Sequence, residues 1–134
     1  MRPVLVDSNV ILDVIDGDQR WAPWSSTALA TIADEALLVI NPLIYAEVSV
    51  RYDSIEAVDI VLPTHLFRRE DVPYGAAFLA GKAYLQYRDR GGKRRSLLPD
   101  FFIGAHAAVA GYRVLTRDPR RYRSYFPKLD LIAP

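Results

Sequence analysis

The chain contains no cysteine. That absence excludes a disulfide framework, a thiolate zinc site and a cysteine nucleophile. No apolar run is long enough to cross a membrane: residues 101–112 form the longest weakly polar stretch, about a dozen residues where a span needs roughly 20. A secretory signal is not expected either, because Asp7 and Asp13 interrupt the apolar run near the N-terminus. The expectation is a cytoplasmic protein. Repeats, low-complexity tracts and linkers are missing, as are the GxGxxG and P-loop patterns of nucleotide binding.

Net charge is small, at +1, but its distribution is uneven. Residues 1–67 carry three basic and ten acidic side chains, residues 68–134 fourteen and six, so the halves stand at −7 and +8. Such asymmetry points to an anionic partner met by the C-terminal half, or to a surface that pairs its own charges.

At 134 residues, with 51% hydrophobic and 25% charged side chains, the chain has the size and balance of a single domain spanning residues 1–134. Residues 3–6 and 36–40 are continuous apolar runs of the kind buried parallel strands show. Residues 9–15, 25–35 and 54–62 read as helices, with Ser25 or Ser26 capping the second. Asn41 followed by Pro42 opens a helix through about Arg51. In a long helix at 72–88, positions 74, 77, 78, 81, 84, 85 and 88 form one mostly apolar face, where Gly81 would admit a close neighbour. Beyond a basic, glycine-rich loop at 89–96, Pro99 and Asp100 begin a helix ending near Gly111. Residues 113–116 read as a strand, 119–125 as a short helix and 129–132 as a last strand. The alternation predicts an α/β fold with a mainly parallel central sheet and helices on both faces.

Ligands in such folds sit beyond the carboxyl ends of the strands. That rule singles out Asp7, directly after the first strand, and Asp118, two residues beyond the strand at 113–116. Asp100 lies at a loop-to-helix junction, and Glu47 sits mid-helix behind the second strand. Carboxylates without thiol or histidine partners suit Mg²⁺ or Mn²⁺, and His65 and His106 lack zinc-ligand spacing. The three aspartates also precede helices, where aspartate is a common N-cap, so spacing alone leaves both readings open. His106 shares a helix face with Phe102, Ala105 and Val109 and reads as a core histidine rather than a general base. Trp21 and Trp24 read as a capping loop or an exposed partner surface.

Four residue strings narrow the choice. VLVDSNVIL at residues 4–12 resembles the opening of PIN-domain nucleases, and NPLIYAEV at 41–48 is similar to their second motif. LPDFFIGAHA at 98–107 resembles the third, and LTRD at 115–118, followed by Arg121 and Tyr122, the fourth. The size and the basic loop before the third motif look most like VapC toxins of type II toxin–antitoxin pairs. The resemblance implies a PIN-like α/β/α sandwich in which Asp7, Glu47, Asp100 and Asp118 ligate Mg²⁺ or Mn²⁺, with Asn9 and Thr116 supporting. It implies a metal-dependent endoribonuclease that hydrolyses RNA phosphodiester bonds with a metal-activated water. A cognate antitoxin and a homodimer are implied as partners, the apolar faces at 25–35 and 72–88 being candidates for the latter.

Lys93, Arg94 and Arg95 in one cluster, and Arg117, Arg120 and Arg121 in another, are candidate RNA contacts, because guanidinium groups recognise phosphate bidentately. Tyr122 and Tyr125 interleave the second cluster as stacking surfaces. The competing reading is a catalytically silent PIN-fold module that binds RNA or protein. A haloacid-dehalogenase-type phosphotransferase fails because Asn9 stands where that family resembles Asp-x-Asp. A phosphate-receiver domain fails because Lys82, Lys93 and Lys128 do not end a late strand.

Overall fold

A computed structural model describes residues 1–134. The elements run β1 (Val4–Val6), α1 (Ser8–Asp16), α2 (Ala22–Glu35), β2 (Leu38–Ile40), α3 (Pro42–Ser49), α4 (Ile55–Val61), β3 (Phe67–Arg69), α5 (Tyr74–Asp89), α6 (Pro99–Ala110), β4 (Arg113–Leu115), α7 (Arg120–Tyr125) and β5 (Leu131–Ile132). All five strands are parallel, in the order β3-β2-β1-β4-β5. The chain therefore builds outward from β1 through β2 to β3, then crosses back to lay β4 on the other side of β1. The strand order reverses between β1 and β4, the crevice where parallel sheets place their ligands. Val6 pairs with Leu115 in register, so the residues that follow both strands emerge together at that crevice.

β1 and β2 are buried along their whole length and form the centre of a core cluster with Val10, Ile44, Ile103, Leu115 and Tyr122. A second cluster joins Ala76, Ala80 and Ala83 of α5 to Phe101 and Ala105 of α6. These alanines, not the face at 74, 77, 78 and 81, turn inward. Tyr74 is 95% and Phe78 64% exposed, and an added Cβ at Gly81 would meet nothing. Alanine side chains let α6 approach closely, and this steric fit outweighs the larger apolar area on the opposite face.

Local signals place several helix ends as expected. The Asn41 side chain accepts from the Ile44 N–H at 3.1 Å and Ser54 from Ala57 at 3.1 Å, each capping a helix. Gly17 and Gly111 end α1 and α6 in the left-handed region, with φ of 63° and 74°. Helix α2, however, starts three residues before Ser25, because Asp18 Oδ1 accepts from the N–H groups of Arg20 and Trp21 and turns the chain into it. Ser25 is buried inside the helix and donates to Asp13 at 2.8 Å instead of capping. Strand β3 was not expected: of its three residues only Phe67 is buried, so no apolar run marks it.

Candidate active site

Asp7 leaves β1 at the crevice, and its N–H donates to Leu115 O of β4 at 2.9 Å. It stands at the cap position of α1, yet its side chain makes no cap bond. Oδ2 instead accepts from Tyr122 Oη at 2.8 Å, Thr116 Oγ1 at 2.9 Å and Asn9 Nδ2 at 3.4 Å. Asp7 as a whole is only 3% exposed. Burial, reinforced by the charges of Asp100 and Glu47, pushes its pKa up to about 7 against the opposing pull of the Tyr122 and Thr116 hydroxyls.

Glu47 lies half-buried on α3 and accepts from Ser8 Oγ at 2.9 Å. Burial raises its pKa, the Ser8 bond opposes this, and the Asp100 charge adds to the rise. Asp100, in the first turn of α6, is also raised by burial, but Arg121 offsets part of that through a bond from Nη1 to Oδ2 at 3.1 Å. The Arg121 guanidinium lies over the rings of Tyr87 and Phe101 as well, at 5.8 and 5.9 Å. Asp118 is more exposed; it receives Arg120 Nε and Nη2 at 2.9 and 3.0 Å, and the hydrogen bond from Arg120 holds its pKa low. Neither Asp100 nor Asp118 serves as a helix cap: Leu98 and Pro119 occupy those positions.

The acids thus fall into two settings. The charges of Asp100 and Glu47 push up the pKa of Asp7, and that of Asp100 pushes up Glu47, while no arginine or lysine pairs with Asp7 or Glu47. Asp100 and Asp118 share an open cleft of about 380 Å³ with Tyr87, Arg120, Arg121 and Tyr125. No group of three or more histidine, aspartate or glutamate side chains is assembled closely enough to hold a metal ion as it stands. The donor chemistry nevertheless fits a hard divalent cation: the oxygens are carboxylate, Asp7 is buried, and its Oδ1 accepts no hydrogen bond. Arg121 engages only Oδ2 of Asp100, whose Oδ1 accepts no hydrogen bond.

The remaining candidates are dispersed. Asn9 and Thr116 join the Asp7 network, Asn9 Nδ2 donating to Thr116 Oγ1 at 3.2 Å. Lys93, Arg94 and Arg95 are exposed on their loop, which is fastened to α5 where Tyr84 and Arg88 donate to Arg94 O at 3.0 and 2.9 Å. Arg117 is committed elsewhere: its Nε pairs with the buried Asp13 at 2.8 Å and its guanidinium lies 5.7 Å from the Trp21 ring centre. Trp21 occupies the N-cap position of α2 without a side-chain cap bond, and its ring lies against the Arg20 and Arg117 guanidinium groups. Tyr122 is no stacking surface, since it is 1% exposed and bound to Asp7; sequence reasoning missed this role because an Arg-Tyr-Arg string looks solvent-facing. Tyr125 does line the cleft.

His106 is buried, shares Nδ1 with Asn41 Nδ2 at 3.1 Å and faces Glu70, with its pKa lowered by burial. Of its expected companions Ala105 is buried but Val109 is 47% exposed, because α6 buries Phe101 and Ala105 against α5 and Ile103 and Ala107 in the main core.

Residues 4–127 match the model of the PIN domain, and the chain belongs to that family. No curated protein matches the sequence. Among solved structures it is similar to VapBC2 from Rickettsia felis bound to a DNA fragment from their promoter, with TM-score 0.72, 15% identity and 98% of each chain covered. It is also similar to VapBC-1 from nontypeable Haemophilus influenzae, with TM-score 0.73, 16% identity and 98% of this chain against 97% of that one. A toxin–antitoxin complex from Klebsiella pneumoniae follows at TM-score 0.65 and 19% identity, with 89% of each chain covered. At such identities the likeness is one of fold.

Proposed function

We propose that this chain acts as a single PIN unit, a Mg²⁺- or Mn²⁺-dependent endoribonuclease serving as the toxin of a toxin–antitoxin pair in the cytoplasm. The observation that carries the reading is Asp7: a buried carboxylate at the strand-order reversal, faced by Asp100 and Glu47 and lacking any cationic side chain. Its similarity in fold to chains of toxin–antitoxin complexes supports an antitoxin partner. A second copy of the chain is a further expected partner.

Asp7, Glu47 and Asp100 would hold the ion, with Asp118 across the cleft. A bound divalent ion supplies Lewis-acid charge for phosphodiester hydrolysis. The chain's own residues supply the rest. Arg120 and Arg121 stand on the cleft wall where phosphate oxygens would be met, and guanidinium groups can engage two such oxygens at once. Tyr87 and Tyr125 offer ring faces beside them for an unpaired base. The exposed Lys93, Arg94 and Arg95 extend the positive surface along the RNA backbone.

The Arg121 guanidinium seated on Asp100 favours a second reading, a silent PIN-fold module that binds RNA or protein. Purified chain free of antitoxin, incubated with total RNA with and without Mg²⁺ or Mn²⁺, separates the two. Discrete cleavage that requires metal and vanishes in folded Asp100→Asn supports the nuclease. Absence of cleavage by folded, metal-loaded protein on every RNA class supports the silent module.

A further inference from the structure

We infer that Tyr122 is a positioning residue that, together with Thr116, occupies Asp7 Oδ2 and leaves Oδ1 as the oxygen Asp7 offers to a divalent ion. The inference rests on the metal-dependent reading above and adds a residue and an atom to it.

The hydrogen-bond polarity around Asp7 is determined by its neighbours. Thr116 Oγ1 receives the Asp118 N–H at 3.2 Å and Asn9 Nδ2 at 3.2 Å, and its single proton goes to Asp7 Oδ2 at 2.9 Å, the nearer of its two acceptors, with Asp118 O at 3.4 Å. Tyr122 has no other partner for its hydroxyl, which donates to the same oxygen at 2.8 Å. The Asn9 amide approaches that oxygen too, at 3.4 Å. Three donors on one oxygen take up its acceptor capacity, while Oδ1 accepts none.

Two donors anchored in different elements also stop the carboxylate from rotating. Thr116 follows β4 directly, and Tyr122 sits on α7 with its ring locked in the main core cluster. A phenylalanine would fill that core space equally well, so packing does not account for the hydroxyl. Partners of this kind hold a ligating group in one orientation, and their loss usually weakens metal binding roughly 10–100-fold.

The test compares the full-length wild-type chain with Tyr122→Phe and Thr116→Val. Mn²⁺ affinity is measured by titration calorimetry, and the hydration of bound Mn²⁺ by water-proton relaxation. Expected are a loss of affinity of about tenfold in Tyr122→Phe and a change in the number of Mn²⁺-bound waters as Asp7 rotates or presents both oxygens. Unchanged affinity and hydration overturn the assignment, even where the melting temperature falls, because that pattern belongs to a purely structural hydroxyl. Should Tyr122→Phe fail to fold, Thr116→Val decides on the same two readouts. Wild-type chain that binds no Mn²⁺ brings down the metal-dependent reading and this inference together; wild-type binding with unaltered variants overturns this inference alone.

Discussion

Arg121 donates from Nη1 to Asp100 Oδ2 at 3.1 Å, placing the chain's own cation against one of the proposed metal-binding carboxylates. Both side chains are about a third exposed, at 38% and 31%, and such pairs contribute little, typically below about 1 kcal/mol. The pair is therefore easily exchanged. Arg121→Gln is expected to raise Mn²⁺ affinity by no more than about fivefold, while weakening RNA binding. Calorimetry with Mn²⁺ alone checks the first part, and a drop in Mn²⁺ affinity would show instead that Arg121 helps hold Asp100 in place.

Asp7 makes the metal-free protein sensitive to pH. Its pKa is raised from 3.8 to about 7, so the folded chain keeps a proton that the unfolded chain loses. Stability is then greatest at low pH in this respect and falls as pH climbs from about 4 through 7, by an amount on the order of 4 kcal/mol. Thermal melting without metal should show this decline between pH 5 and 8, and Asp7→Asn should flatten it. Added Mn²⁺ should stabilise the wild type more at pH 8 than at pH 5.5.

Two neighbouring arginines should behave differently. Arg117 compensates the buried Asp13, which is 4% exposed, and its removal leaves that charge with only Ser25. Arg117→Ala is expected to cost about 2 kcal/mol in urea denaturation, below the range for fully buried pairs because Arg117 is partly exposed. Arg120 is 87% exposed, so Arg120→Ala should leave the melting temperature unchanged and lower RNA affinity. Equal destabilisation by both would refute the distinction.

Gly104 sits inside α6 where an added Cβ would meet the Phe126 ring at 2.5 Å. Phe126 packs against both core clusters and cannot swing away freely. Alanine gains helix propensity of up to about 1 kcal/mol, but overpacking of this kind costs roughly 1–3 kcal/mol. Gly104→Ala should thus be net destabilising, and chemical denaturation that finds it stabilising would mean the ring repacks.

Features written in short stretches of chain were legible without coordinates. Asn41 and Pro42 announce the start of α3, Gly17 and Gly111 end α1 and α6, and the apolar runs at β1 and β2 read as buried parallel strands, because each depends on neighbouring residues alone. The acids Asp7, Glu47, Asp100 and Asp118 stood out as candidates for the same reason: each lies in a recognisable local string. Whether those aspartates cap helices was undecidable from spacing, since a cap and a site residue occupy the same place in the chain.

The sequence by itself determined the alternation of elements, the parallel sheet and the acids at its carboxyl edge, all of which follow from periodicity and adjacent residues. Only the tertiary structure decided which face of α5 is buried, that Arg117 serves Asp13, that Arg121 sits on Asp100, and that Tyr122 turns inward to Asp7. The last of these joins residues 115 positions apart. Such pairings come from how β4 returns beside β1 and how closely alanine-lined helices approach, and neither is encoded in any short window of residues.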